Sequence, residues 1–402
     1  MDAKDLALLC LGCPNPFCER FCPAGNHIAE MNERIKSGDL KGASEILYST
    51  NPFPEITSSV CDHERQCLRC VKGIKGEPVH VPQIEASLAS SFPRDLNKKQ
   101  NCGKKAALIG AGIANLSAAW FLSKGGWAVD IFEKDGTLGG AIVTGIPSFR
   151  FDKTPLQGIE HDLSSLGVRF HYRTEIGKQT PLSSLLGGYD AVLASLGAGK
   201  DNPGPFAPRK GIIPGLNLLR AYNEEKATFP EYSSCFVWGG GNVAMDCARA
   251  LRRLGKKVTV IYRRSQKEMP ANECEVLQAQ QEGVSFLFLH NVSDVVAKED
   301  GSLKALKVIA MELGEKDESG RASFHPIPDS ESHIPCDLLV PAIGQRVDLS
   351  VLGVPFEKGQ SHKSSLPKLY LAGDCYLGPK NVAACIKDGR EAAFEIMGDR
   401  IA

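Results

Sequence analysis

Apolar positions change their period along this chain. Between residues 1 and 100 the pattern is helical, with Ile28, Met31 and Ile35 recurring at helix spacing and stopping at Gly38. A second helical stretch, Asp39 to Thr50, is cut by Asn51-Pro52, since the residue before a proline is driven out of the helical region. Strand signal is scarce here and the apolar content is thin for the length. That combination predicts a small helical domain stabilised by something bound. Arg94 to Gly103 is polar and reads as a linker.

From Lys105 the period changes. Ala106-Ala107-Leu108-Ile109 is a short apolar strand running into Gly110-Ala111-Gly112; a helical pattern follows, and Val129-Asp130-Ile131-Phe132 ends at Glu133. This is a βαβ unit. The design recurs about 130 residues later: Cys235 to Trp238, then Gly239-Gly240-Gly241, a helix to Leu254, and a strand from Val258 to Tyr262. One more strand–turn–helix passage runs from Leu369 through Gly373-Asp374 into a helix around Val382 to Ile396. The expected fold class is α/β: two Rossmann-like dinucleotide-binding domains preceded by a helical domain. The expected division is 1–100 for the helical domain, 101–205 with 334–402 for the first dinucleotide domain, and 206–333 for the second.

Composition narrows the function classes. The 402 residues suffice for two or three domains. Lys plus Arg equals Asp plus Glu at 47 each, and no basic stripe occurs, which argues against a nucleic-acid partner. No apolar run reaches the ~18 residues of a membrane span. Met1-Asp2-Ala3-Lys4-Asp5 lacks the basic start and apolar core of an export signal. A cytoplasmic chain with no membrane partner is therefore expected. Structural disulfides are rare in that setting, so the 14 cysteines need another explanation.

The first glycine turn has the context that a dinucleotide site needs, a strand before it and a helix after it. Gly110 permits the tight turn. Gly112 lets the backbone approach a pyrophosphate at the helix N-terminus, where amide donors and the helix dipole favour anions. Glu133, 23 residues after Gly110, can accept hydrogen bonds from a ribose. Asn115 stands where a third glycine usually serves helix–strand packing, and is expected to cost some of that packing. Gly373-Asp374 suits FAD: the aspartate would reach the ribityl or pyrophosphate region, with a helix N-terminus facing the flavin ring.

The second turn, Gly239-Gly240-Gly241-Asn242-Val243-Ala244, fits G-x-G-x-x-A. Its second strand ends in Tyr262-Arg263-Arg264, where an NAD site would carry an acid. Arginines there can grip a 2′-phosphate, so NADP(H) is favoured, with NAD(H) as the alternative.

Seven of the 14 cysteines fall between Cys10 and Cys70. Cys10-x2-Cys13-x4-Cys18-x3-Cys22-Pro23 is similar to a ferredoxin-type run, and Cys61, Cys67 and Cys70 form a second group. Iron–sulfur clusters or zinc would both use such thiolates. Two [4Fe–4S] clusters need eight ligands, so one would be non-cysteine or one cluster incomplete. The other seven cysteines show no paired spacing and receive no role.

These features together resemble the glutamate synthase small-subunit family of FAD/NADPH iron–sulfur oxidoreductases, including the shorter electron-input subunits of bacterial dihydropyrimidine dehydrogenase. The resemblance runs nearly full length. It is carried by the cysteine groups, Gly73-Ile74-Lys75-Gly76-Glu77-Pro78, Leu138-Gly139-Gly140, Gly145-Ile146-Pro147, Gly239 to Asp246, Tyr262-Arg263-Arg264, Glu268-Met269-Pro270-Ala271 and Ala372-Gly373-Asp374.

It implies FAD, a nicotinamide site and two [4Fe–4S] clusters. Carried over, Cys10, Cys13, Cys18 and Cys70 hold one cluster. Cys22, Cys61 and Cys67 hold the other, with Glu85 as the remaining ligand and Gln83 as its rival. Gly140 joins the flavin-binding residues. The family usually spaces its last cysteine pair as Cys-x3-Cys, whereas Cys67-x2-Cys70 is one residue shorter.

The implied function is hydride transfer from NADPH to FAD, then single-electron transfer through the clusters to or from a partner catalytic subunit. The alternatives are a non-catalytic cluster-relay or structural subunit, motivated by Asn115, and a stand-alone NADPH:acceptor reductase. A thioredoxin reductase would need a Cys-x-x-Cys pair beside the flavin, and none occurs beyond residue 70. No general acid or base is nominated, and His63, His80 and His161 are read as surface or loop residues.

Overall fold

The computed structural model describes residues 3–226, 229, 231–316, 322–355 and 361–398. They form two compact units. The first contains residues 1–142, 148–199 and 347–402, and the second 143–147 and 200–346.

The first unit opens with six helices: α1 (Ala3–Leu8), α2 (Phe17–Arg20), α3 (Ile28–Lys36), α4 (Leu40–Thr50), α5 (Pro54–Val60) and α6 (Val81–Ser91). The periodicity of α3 becomes its buried face, Ile28, Met31 and Ile35. The Asp39 side chain caps α4 by accepting the Gly42 N–H at 2.8 Å, satisfying one of the orphan donors of a helix start. Leu6, Ile28, Met31, Ile35, Leu47, Ile84 and Leu88 share one core, against which Cys10, Cys18, Cys22 and Cys70 pack. The cysteine loops therefore form one wall of this small core. The linker is pinned at its first residue, where Arg94 pairs with Glu55 and Asp162 at 2.5 and 2.8 Å.

The same unit carries a five-stranded sheet built from β1 (Lys105–Ile109), β2 (Ala128–Phe132), β3 (Arg169–His171), β4 (Ala191–Ala194) and β15 (Leu369–Leu371), in the order β15-β4-β1-β2-β3. All its pairings are parallel. A parallel sheet is covered on both faces, so its strands read as continuous apolar runs, as Ala106 to Ile109 do. A glycine helix (Ile113–Lys124) follows β1, and a tail helix (Val382–Met397) packs along it. Gly389 of the tail helix is the point of closest approach, because a Cβ there would meet the Ala114 carbonyl oxygen at 1.9 Å.

The second unit begins and ends on a two-stranded ribbon, β5 (Lys200–Asp201) against β14 (Gln345–Arg346). Between them lies a parallel sheet of β6 (Ser234–Trp238), β7 (Lys257–Tyr262), β8 (Ser285–Phe288) and β13 (Leu338–Pro341), in the order β13-β6-β7-β8. A second glycine helix (Asn242–Arg253) joins β6 to β7. An antiparallel sheet, absent from the sequence expectation, is formed by β9 (His290–Ala297), β10 (Leu303–Lys316), β11 (Ala322–Pro326) and β12 (Ser332–Pro335).

The units differ from the expected division: the second takes in residues 143–147, and its long segment begins at residue 200 rather than 206. β13 lies beside β6, so the second unit continues to residue 346 rather than 333. The helical region and the first dinucleotide region belong to a single compact unit. Residues 356–360 and 399–402 of the expected first dinucleotide domain lie outside the described residues.

Candidate redox site

The first unit gathers the residues of the first glycine turn. Gly110 has φ +94°, and a Cβ there would meet the Ser195 carbonyl oxygen at 2.6 Å, so a side chain is excluded on both counts. At Gly112, among the described residues, no atom beyond its chain neighbours comes within 4 Å of such a Cβ. The backbone is thus left bare at the helix N-terminus, which suits a pyrophosphate. Gly140 stands against this turn, 3.1 Å from the Gly112 Cα as measured from its Cβ position.

Glu133 is buried and spans the loop. One oxygen accepts the Ala111 N–H at 2.6 Å and the other the Asp135 N–H at 2.8 Å. A carboxylate oxygen has a second lone pair, so a ribose hydroxyl can still be accepted.

Asn115 does not cost packing in the expected way. Its buried side-chain amide donates to the Ile109 and Gly110 carbonyls, both at 2.8 Å, and so staples the turn. The close helix contact is made instead at Gly389.

The tail motif closes over the same place. Gly373 (φ +69°) would put a Cβ 2.7 Å from Ser195 Oγ and 3.0 Å from the Ala114 Cβ. Its N–H donates to Asp388 at 2.5 Å. Asp374 accepts the Lys380 N–H at 2.9 Å and the Cys385 thiol at 3.2 Å, and burial holds its carboxyl above the usual aspartate range.

The second turn repeats the geometry. Gly239 (φ +146°) would collide with the Ala342 carbonyl oxygen, while Gly241 faces open space. Asn242 and Asn272 are joined reciprocally: the Asn242 amide donates to Asn272 Oδ1 at 3.2 Å and the Asn272 N–H to Asn242 Oδ1 at 2.9 Å. Val243 lies in the first turn of the helix, beside Gly215. Glu268-Met269-Pro270-Ala271 folds back over the loop, with the Ala271 N–H on the Gly240 carbonyl at 3.1 Å and the Tyr262 hydroxyl on the Glu268 carbonyl at 2.8 Å.

The arginine pair is divided. Arg264 is buried and donates to the Ala322 carbonyl at 2.6 Å, whereas Arg263 is exposed. Both guanidinium groups lie over the Phe324 ring, at 4.2 Å for Arg263 and 4.8 Å for Arg264. Arg263 is thus the exposed member of the pair, and Arg264 supports the strand end.

Cys10, Cys13, Cys18 and Cys70 line one cavity, with Leu11 and Phe17 among its apolar walls. Burial pushes the Cys18 thiol up to about 12, reinforced by Cys70 and Cys10. Burial raises the Cys61 thiol too, and Glu85, Cys22 and Cys67 add to it. The charges of Glu85 and Cys22 act on Cys67 as well, and so does that of Cys18.

Glu85 is buried, accepting from Asn26 at 2.7 Å and Thr57 at 3.3 Å; burial raises its carboxyl to about 7 against those two bonds. Gln83 is exposed. His63, read above as a surface or loop residue, has Nδ1 3.5 Å from Cys67 Sγ and Nε2 3.1 Å from the Ser58 carbonyl oxygen.

Among the described residues no three His, Cys, Asp or Glu side chains form a group that could hold one metal ion. A single zinc requires its sulfurs to converge on one point at about 2.3 Å. An iron–sulfur cluster takes one ligand per iron and accepts a wider ring. The donor chemistry and the cysteine-lined cavity fit the cluster.

In comparison with known proteins, two families match the chain. Residues 104–389 match the pyridine nucleotide-disulphide oxidoreductase family, and residues 1–95 match the dihydropyrimidine dehydrogenase domain II, 4Fe-4S cluster family. The chain is 31% identical to the glutamate synthase [NADPH] small chain of Escherichia coli, over 98% of this chain and 91% of that one. The chain belongs to the glutamate synthase small-chain family. It is also 35% identical to the NADP(+)-dependent formate dehydrogenase subunit beta of Moorella thermoacetica, over 94% of this chain but only 59% of that relative's length.

FprA of Mycobacterium tuberculosis in complex with NADPH shares the fold, with a TM-score of 0.64 at 19% identity, over 73% of this chain and 84% of that one. Like other members of the small-chain family, this chain is an NAD(P)H-dependent oxidoreductase with an iron–sulfur domain. No helix among its described residues is long and apolar enough to cross a membrane.

Proposed function

We propose that this chain is the electron-input subunit of a larger cytoplasmic redox complex, taking hydride from NADPH and passing electrons singly to a catalytic partner. The observation that supports this reading is the cavity lined by Cys10, Cys13, Cys18 and Cys70, in the compact unit that also holds Cys22, Cys61, Cys67, Glu85 and the first glycine turn. Bound FAD supplies the change from two-electron to one-electron chemistry, and two [4Fe–4S] clusters supply the one-electron path.

The chain's own residues bind and orient. Gly110, Gly112, Gly140, Glu133, Gly373 and Asp374 cradle FAD. Gly239, Gly241, Asn242 and Val243 present the second pyrophosphate cradle, and Arg263 selects the 2′-phosphate. Cys10, Cys13, Cys18 and Cys70 hold one cluster, and Cys22, Cys61, Cys67 and Glu85 the other. Asn115 staples its turn, so the feature that motivated a non-catalytic subunit instead supports an intact cradle. The relatives' names, "small chain" and "subunit beta", support a partner subunit.

The test is chemical analysis of the anaerobically purified chain. One FAD with iron and labile sulfide for two clusters supports the reading, provided Cys18→Ala and Cys61→Ala each remove one cluster's share and spare the flavin. Iron without labile sulfide, or no flavin, contradicts it.

A further inference from the structure

Three consecutive residues of the tail helix face three different parts of the first unit. Asp388 accepts the Gly373 N–H of the tail motif. Gly389 lies against the Ala114 carbonyl beside the first glycine turn. Arg390 reaches into the helical region and donates from one guanidinium nitrogen to the Ala24 carbonyl, at 3.1 Å, and to the Thr50 carbonyl.

Arg390 is buried, and among the described residues the hydrogen bonds found for it end on these backbone carbonyls, not on a carboxylate. Burying a cation is costly. The charge of Glu391 offsets part of that cost, and the Cys22 sulfur is close enough for its charge to act on the guanidinium as well. The contact extends further. Thr50 donates its hydroxyl to Asn26 at 3.1 Å, and Asn26 donates to Glu85 at 2.7 Å. One arginine thus bonds to a carbonyl two residues from Cys22 and to Thr50, whose hydroxyl leads through Asn26 to Glu85, while the two residues before it hold the tail motif and the first glycine helix.

Resting on the cluster and flavin assignments above, we propose that Arg390 is a positioning residue that locks the Cys22 cluster to the flavin cradle and, through its charge, raises that cluster's reduction potential. A thiolate-held cluster is anionic and gains another negative charge on reduction, so a fixed buried cation favours the reduced form.

The experiment is an anaerobic redox titration of the full chain, followed by electron paramagnetic resonance, for wild type, Arg390→Met and Arg390→Lys. Arg390→Met should lower one cluster's midpoint by at least 59 mV, a tenfold change in a one-electron equilibrium. The other cluster should stay in place, and Arg390→Lys should recover most of the shift. Loss of one cluster from Arg390→Met but not from Arg390→Lys also supports the role of charge. Unchanged midpoints in Arg390→Met overturn the proposal, as does equal cluster loss from both variants, which would leave only a structural strut. A wild-type chain without cluster signals instead overturns the functional reading on which the proposal rests.

Discussion

The two glycine turns share a backbone and diverge at the ends of their second strands. In both, the first glycine is forced by a positive φ and a carbonyl where its Cβ would be, and the last glycine before the helix faces open space. After β2 comes Glu133, whose two oxygens stitch the loop to itself through Ala111 and Asp135. After β7 come Arg263, exposed, and Arg264, buried against Ala322. The backbone device is therefore common, and the two units diverge at the strand end. The same comparison separates glycines needed for folding from glycines needed for binding.

The largest effect should come from breaking the shared backbone. Gly239→Ala combines left-handed strain with a clash against Ala342 and should cost about 3 kcal/mol or more of stability, read as a lower thermal midpoint with or without nucleotide. Gly241→Ala meets no protein atom within 4 Å. It should leave the apo midpoint in place yet raise the KM for NADPH well over tenfold, because the methyl occupies the pyrophosphate's approach. A similar stability loss in both variants would break the distinction.

A smaller change sharpens the contrast between the strand ends. Arg263→Ala removes a charge-assisted contact of about 1.5–3 kcal/mol. It should therefore raise the KM for NADPH roughly ten- to hundredfold while leaving NADH little affected. Steady-state kinetics with both nucleotides would check this.

The smallest effect concerns the flavin end. Burial pulls the His362 imidazole down, but hydrogen bonds and charge from Asp388 and Glu395, at 3.1 and 3.0 Å, outweigh it and hold the group above the usual histidine range. A raised histidine stabilises fully below its unfolded pKa of about 6.5 and loses that contribution as pH rises through its folded pKa. His362→Gln should therefore be less stable than wild type by about 2 kcal/mol near pH 6, with the gap narrowing towards alkaline pH in thermal melts. A gap that widens with pH would refute the assignment.

Both glycine turns were legible in the sequence because their signals are local. A strand, a spaced glycine pair and a helix lie within thirty residues, and Gly110, Gly112, Gly239 and Gly241 stand where that pattern puts them. The cysteine groups were legible from spacing, but the cavity that Cys70 shares with Cys10, Cys13 and Cys18 depends on the 61–70 loop folding back on the 10–22 run, which spacing does not show.

Other features had no local signal. The antiparallel sheet pairs strands through long-range registers. Arg390 and Gly389 act on residues hundreds of positions away. Asn115 looked like a defect because its side chain's partners, the carbonyls of the turn, appear only once the loop is built. Arg264 looked equivalent to Arg263 because the burial that separates them comes from β11.

The central claim is that electrons enter at the nicotinamide and leave through the clusters, and an anaerobic ultraviolet–visible titration of the purified chain with NADPH tests it most directly. Flavin bands over a broad cluster absorbance, both bleached by NADPH, is the expected result. A chain without flavin, or one whose flavin stays oxidised under NADPH, would contradict it.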